Sequence, residues 1–556
     1  MDVGELFGGA LEAVGVGDLA RATELLRDVL EIDDLPLAHQ LLGAIAFWDD
    51  RLEDARTELE AAFRGFRNAG DVCAAARAAT NLAELHYGSL GNESAGRGWI
   101  GRAKRLLEDA GPCVEWGYWE LGRMACDRLD VDDLARSAAR AMDIAREYGD
   151  PALELRALAD SGLALVTQGH VREGFARLDE ALAALTSGEV QDTIAIGTAY
   201  CSLLSSCDRA GEVARAEEWA RLVRQQVLDP GNQRPRVLGT HCELALGSVL
   251  VASGRTREGE AALLACLGPD ATASLGHRRD ATVRLAELRL QQGRISDAAE
   301  LLAPIEDFAG AALPLALVHL DRGEPALAVA RLRNAVKQLV GDALRAAPML
   351  AALVDAELAA GDPDAAQQAR QLLDVLASAS DSPVVAALAS VAEARLARAN
   401  DDAAAAVAAF EAALALLATV ERPLLTAKIH LDLAAAQIAA GDDAAAIASA
   451  RAAHAAARRL EAVTIADEAG AVLRGLGVAP PRAARGPDRL VGLTPREADV
   501  LEGLRRGETN AEIGARLFLA PKTVEHHVSR VLAKLGVNNR AAAAALAAEA
   551  AATSRP

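Results

Sequence analysis

At 556 residues the chain exceeds what one hydrophobic core organises, which excludes a single small domain and implies several domains or an extended array. Apolar residues make up 51% of it and aromatic ones only 3%, with alanine abundant, a mixture that suits closely packed helices better than sheets. The formal net charge of −21 would repel a phosphate backbone if spread evenly, but in residues 481–556 twelve basic residues against eight acids give +4 and leave −25 upstream.

The amino terminus, MDVGELFGGALEAVGVGD, carries acids where a secretory leader needs basic residues. No apolar run of about eighteen residues stands out as a membrane span, so no membrane partner and a cytoplasmic location are expected. Seven cysteines, at 73, 113, 126, 201, 207, 242 and 266, are scattered without a C-x-x-C pair. They read as reduced, mostly buried thiols, and neither a metal site nor a cofactor is expected.

Through residues 1–475 a turn residue followed five positions later by a small residue recurs between amphipathic helical stretches. The turns are read at Gly17, Asp50, Gly91, Asp132, Gly169, Gly211, Gly254, Gly293, Gly323, Gly361, Asn400 and Gly441. The small residues are Ala22, Ala55, Gly96, Ser137, Gly174, Ala216, Gly259, Ala298, Ala328, Ala366, Ala405 and Ala446, and the repeat period is about 39 residues. Gly, Asn and Asp tolerate a left-handed turn, and small residues let neighbouring helices approach closely. Some repeats extend the pattern: Gly43, Asp50, Ala55 and Ala62 share one spacing with Gly162, Gly169, Gly174 and Ala181, and with Ala434, Gly441, Ala446 and Ala453.

This pattern resembles the tetratricopeptide repeat, with a period longer than the usual value of about 34 residues. Elongated repeats of this kind are similar to those in the sensor arms of large LuxR-type regulators such as the MalT-like proteins. The resemblance implies about twelve helix pairs stacked into a superhelix, whose concave groove would take a protein or small-ligand effector. Trp116, Tyr118 and Trp119, with Trp48, Trp99 and Trp219, are candidates for a ligand site there, but their spacing does not place the three neighbours on one helix face, and the favoured reading is core filler. The alanine-rich stretch NDDAAAAVAAFEAALALLATVE keeps Phe410, Leu414 and Leu417 at helical spacing and reads as a repeat helix.

The periodicity breaks at RGLGVAPPRAARGPD, so residues 476–489 are read as a linker and 490–556 as a terminal domain. Four short helices are expected in that domain. Thr494, Pro495 and Glu497 form a capping signature for the first, which Gly507 stops; Thr509 with Glu512 caps the second, which runs to about Leu517. Pro521 starts the third and Gly536 ends it, while Asn538 or Asn539 caps the fourth. Leu493, Val500, Leu501, Leu504, Ile513, Leu517, Val524, Val528, Val531, Leu532 and Leu535 fall at core spacing, and the other side of the third helix carries Lys522, Glu525, His526, Ser529, Arg530 and Lys534. Two helices joined by the short turn FLAPK, the second with a polar and basic face, describe a helix-turn-helix reader.

The run LTPRE, then NAEIGARL, then KTVEHHVSRVLAKLGV with a following arginine resembles the DNA-binding domain of the LuxR/FixJ family over about 65 residues. The resemblance implies an all-α chain, a tetratricopeptide-like solenoid followed by a four-helix LuxR-type domain, and a sequence-specific transcriptional regulator of double-stranded promoter DNA. Its third helix, about 521–535, would enter the major groove. By motif position Glu525, His526 and Ser529 would face base edges, whereas Lys522, Thr523, His527, Arg530 and Lys534 would mostly hold phosphates. The helix after Arg540 would be a homodimer contact. Two departures stand out: Ala520 occupies a position usually held by a capping residue, and Glu525 one that is often basic and could instead accept a hydrogen bond from a cytosine amine.

A metal site at His526 and His527 is not expected, because adjacent helical positions point in different directions. The five lysines, at 104, 337, 428, 522 and 534, form no G-K-[S/T] phosphate loop, and no motif for an ATPase or other enzyme occurs. The rival reading is a scaffold or adaptor whose acidic repeats do the work and whose terminal domain docks protein.

Overall fold

The computed structural model describes residues 2–126, 131–190, 192–226, 236–268, 275–480, 495–517, 521–535, 537, 539–540, 543–544 and 547. The chain divides into two compact units, Met1–Pro480 and Pro481–Pro556. Every described secondary-structure element is helical.

The first unit is a run of antiparallel helix pairs. These are Val3–Gly15 with Leu19–Ile32, Pro36–Trp48 with Leu52–Ala69, Val72–Glu84 with Glu93–Ala110, Glu115–Cys126 with Val131–Tyr148, Pro151–Gln168 with Val171–Ser187, and Thr193–Ala210 with Val213–Gln226. There follow Arg236–Ala252 with Thr256–Ala265, Leu275–Gln291 with Ile295–Leu302, Ala312–Asp321 with Pro325–Gln338, Ala343–Ala360 with Pro363–Ala379, Pro383–Ala399 with Ala403–Leu416, and Pro423–Ala439 with Asp443–Arg459. A last helix, Val463–Gly475, packs alone on the final pair.

The small residues work as their spacing implies. Ala22, Ala55, Ser137, Ala216, Ala298, Ala328, Ala366 and Ala446 are fully buried, and a Cβ on Gly162 would lie 2.6 Å from Leu178 Cγ. Ten of the twelve turn residues adopt positive φ, Asp50 at 60° among them. Two expectations need correction. Asp132 lies in the first turn of Val131–Tyr148 and not in a connecting turn. At the eleventh turn Asp401, at φ 58°, takes the left-handed position in place of Asn400, and the buried residue five positions on is accordingly Ala406, while Ala405 is exposed.

The aromatic cluster belongs to the core. Trp48, Tyr118, Trp119 and Trp219 are buried, and Trp116 packs edge-on against Trp119 with ring centroids 5.5 Å apart. Trp119 Nε1 donates to Ile100 O at 3.1 Å and the Tyr118 hydroxyl donates to Asp150 at 3.0 Å. Among the described cysteines, Cys207, Cys242 and Cys266 are buried and Cys73, Cys113 and Cys201 half-buried, all as free thiols. Burial pushes the Cys201 thiol up to about 12 and the Cys266 thiol up to about 11.

Successive superhelical turns touch. Asp381 N–H donates to Gly169 O at 3.0 Å, Val171 N–H to Asp381 Oδ1 at 2.7 Å, and Arg422 Nη2 to Ala210 O at 2.6 Å. Farther along, Arg257 pairs with Glu461 at 2.8 Å. The first helices of the fifth and sixth pairs also pack on the first helix of the tenth. The groove expected along the inner face is therefore closed there by the chain itself. Polar side chains of first helices meet across the array, between neighbouring pairs as Ser202 with Asp160 at 2.7 Å, and between pairs two apart as Arg156 with Glu84 at 3.4 Å and Arg284 with Asp208 at 3.1 Å.

One rung of these contacts is imidazole. His241 Nδ1 lies 3.1 Å from His277 Nε2, and His241 Nε2 lies 3.2 Å from Cys201 O and 3.3 Å from Ser205 Oγ. Burial pushes both histidines below their ordinary range, His277 to about 3. The unfolded chain protonates near about 6.5, so the neutral pair stabilises the fold fully above that pH and loses its contribution as pH falls toward the folded-state values. Between about pH 7.5 and about pH 5.5 the burial of His277 should cost the wild-type chain about 1 kcal/mol more stability than its other groups dictate. Thermal unfolding of wild type and His277→Gln at both pH values checks this: a smaller acid-induced drop is expected in the variant, and an equal drop would contradict it.

Candidate nucleic-acid interface

The terminal unit contains the helices Pro495–Arg505, Asn510–Leu517 and Pro521–Leu535, with helical backbone again at Arg540, Ala543, Ala544 and Ala547. These positions match the expected punctuation. Thr509 and Glu512 form the reciprocal cap, Thr509 N–H donating to the Glu512 carboxylate at 2.7 Å and Glu512 N–H to Thr509 Oγ at 3.3 Å. Gly507, at φ 76°, terminates the first helix. Leu493, Thr494, the FLA of the FLAPK turn with Ala520, Gly536 and Asn538 lie outside the described residues.

One apolar cluster holds the unit together: Val500, Leu501, Leu504, Ile513, Leu517, Val524, Val531 and Leu535 are buried, with Val528, Leu532 and Val537 packed against them. Ala543 and Ala547 join this cluster, so that side of the last helical segment is used by its own domain. Sequence periodicity had placed the segment but not its buried side. On the third helix, burial of Val524, Val531 and Leu535 turns Lys522, Thr523, Glu525, His526, Ser529 and Arg530 outward, and all six are exposed. His527 is half-buried, and its Nδ1 has no hydrogen-bond partner among the described residues.

The charged groups differ in how free they are. Lys522 Nζ lies 2.8 Å from Glu525 on the open surface, and that ammonium holds the Glu525 carboxyl below the usual range. An exposed pair of this kind contributes little to stability and exchanges partners readily. Lys534 Nζ lies 2.6 Å from Glu497, whose side chain is only 3% exposed. This contact, across 37 residues, ties the third helix to the first. Glu502 sits between Arg505 and Arg506, whose guanidinium groups pull its carboxyl down to about 2. Arg516 bonds Glu508 at 3.0 Å and Asp499 O at 3.2 Å, and Arg540 donates to Glu508 O, fastening the second helix and the last segment to the first turn.

Gly503 is a residue that sequence reading passed over. A Cβ there would meet Ile513 Cγ1 at 2.6 Å and the Arg516 and Glu508 side chains at 2.8 Å, so the second helix rests directly on its backbone. The only sequence signal is a glycine inside a helical pattern, which costs helix propensity and calls for a packing reason. Gly503→Ala is expected to destabilise the terminal unit by about 1–3 kcal/mol in denaturant unfolding, despite the better helix former; an unchanged or raised stability would show that the helices do not meet this closely.

A family model described as bacterial regulatory proteins, luxR family, matches residues 491–547. The transcriptional activator DevR/DosR of Mycobacterium tuberculosis is 51% identical over 67 residues, 12% of this chain and 31% of that protein. The transcriptional regulatory protein LiaR of Bacillus subtilis is 46% identical over 55 residues, 10% of this chain and 26% of that protein. The chain thus spans less than a third of the length of these relatives. Among solved structures, that of the APC/C hetero-tetramer Cut9–Hcn1 aligns with TM-score 0.46 and 14% identity over 84% of this chain and 96% of that one. Three helices around one apolar cluster, the third with an exposed polar strip, and the match over 491–547 identify the carboxyl-terminal unit as a helix-turn-helix domain of the luxR family of bacterial regulatory proteins.

Proposed function

We propose that the whole chain is a sequence-specific regulator of transcription that acts on double-stranded DNA in the cytoplasm, by binding and not by catalysis. The observation that carries this reading is the exposed strip Lys522, Thr523, Glu525, His526, Ser529 and Arg530 on a helix whose opposite side is locked in the core of a luxR-family domain. The +4 charge of residues 481–556, against −25 upstream, supports it, because phosphate attraction is then confined to the unit that carries the strip.

In this reading Glu525, His526 and Ser529 face base edges, and Lys522, Thr523, His527 and Arg530 hold the backbone. A phosphate draws Lys522 away from Glu525 and leaves that carboxylate to accept from a cytosine amine. Lys534 serves first to hold the helix on Glu497 and reaches phosphate only by giving up that partner. Two copies pair through the outer side of the segment after Arg540 and read an inverted repeat. The repeat array binds a protein or small-ligand effector and thereby controls access to the operator. With an inner groove closed between the fifth and tenth pairs, the effector site lies elsewhere on that array.

Binding of the full-length chain to genomic promoter fragments, followed by fluorescence anisotropy across a salt series, tests the assignment. Lys522→Ala should weaken binding to all duplexes alike and lower the salt slope by about 1. His526→Ala should alter base preference at one operator position, by about 1–3 kcal/mol. If both substitutions weakened every duplex to the same extent, the division between base and phosphate contacts would be wrong; no binding at low salt would remove the DNA assignment itself.

A further inference from the structure

A helical repeat sets residues one period apart beside each other, and this brings together two cysteines that look unrelated along the chain. Cys73 and Cys113 are separated by 40 residues, close to one repeat. Cys73 stands in the first turn of Val72–Glu84, the first helix of the third pair. Cys113 lies just before Glu115–Cys126, the first helix of the fourth pair, and Glu115 opens that helix. The two Sγ atoms and a Glu115 carboxylate oxygen all lie within 4.8 Å of one another, and the three residues are half-buried, open enough for an ion to enter.

Two sulfur donors and one carboxylate oxygen form a set that suits a thiophilic dication with tetrahedral preference, zinc foremost. Calcium and magnesium, which take oxygen ligands, do not suit it. The surroundings add a contrast. The neighbouring buried carboxylate of Glu120 is matched by Arg123 at 2.8 Å and Arg140 at 2.6 Å, whereas Glu115 forms no ion pair among the described residues.

We propose that Cys73, Cys113 and Glu115 bind a single zinc ion, with the fourth position filled by water or an exogenous ligand. On binding, each thiol releases its proton to solvent and forms a sulfur–zinc bond, with no change in oxidation state. Three protein ligands and an open position are the arrangement of exchangeable sites; four protein ligands would close it. The bound ion would clamp the third helix pair to the fourth and make this part of the repeat array responsive to zinc. The inference stands independently of the DNA reading.

Zinc titration of the reduced full-length chain against a chromophoric chelator tests it. Saturation at one ion per chain is expected, with affinity reduced at least about tenfold in Glu115→Gln and further in Cys73→Ser and Cys113→Ser. Cadmium in place of zinc should produce a thiolate charge-transfer band in the ultraviolet that the double serine variant lacks. Should the serine variants fail to fold, alkylation of the wild-type chain followed by mass spectrometry decides: zinc should protect Cys73 and Cys113 and leave labelling of the other thiols unchanged. Absence of saturable binding, uptake undiminished in the double variant, or a Cys73–Cys113 disulfide in a chain whose reduced form takes up no zinc would each overturn the proposal.

Discussion

A helix of four turns has two long sides, and burying one of them decides what the other can meet. In Pro521–Leu535 the side carrying Val524, Val531 and Leu535 sinks into a cluster supplied by both preceding helices. Each buried side chain of this size contributes about 1.5–3 kcal/mol, so rotation of the helix to present other residues would forfeit most of the core. Lys522, Glu525, His526 and Ser529 are held outward for that reason, and not through contacts of their own. Lys534 on the nearly buried Glu497 adds a directional tie at the far end of the same helix. Removing one partner of such a pair leaves a charge without its match.

The repeat array obeys a related constraint with the sides reversed. A single helix pair cannot bury its apolar surface, so each pair needs a neighbour, and close stacking needs residues small enough to let backbones meet. Fully buried Ala22, Ala55, Ala298 and Ala446, and the contact of Gly162 with Leu178, meet that need. The winding that follows is tight enough for Gly169 to meet Asp381 and Ala210 to meet Arg422. A solenoid closed on itself in this way is a stiffer object than one turn of an open superhelix, because opening it breaks contacts across turns as well as between neighbours.

What could be read in advance follows from the range of the interactions. The boundaries of the three described helices of the terminal unit are local, set by Thr509 with Glu512, Gly507 and Pro521, and the sequence placed them to within a residue. The exposed strip was legible because helical periodicity separates it from Val524, Val531 and Leu535. At the eleventh turn two adjacent residues, Asn400 and Asp401, both tolerate a left-handed backbone, and composition alone does not choose between them. The partner of Lys534, the packing at Gly503, the approach of Cys73 to Cys113 and the meeting of Gly169 with Asp381 all join residues distant in sequence. No local pattern encodes them. The contact between the fifth and tenth pairs was not legible for the same reason, since the number of pairs per superhelical turn depends on small angles that a consensus spacing does not carry.

Recognition of DNA by the outward strip is the step on which the functional reading stands, and genome-wide occupancy of the full-length chain in its own host is the decisive measurement. Discrete peaks upstream of a limited set of genes, sharing an inverted repeat, are expected. A folded, abundant chain that shows no enrichment anywhere above background, while co-purifying with a stable protein partner, would contradict it and favour an adaptor in which the luxR-type domain docks protein.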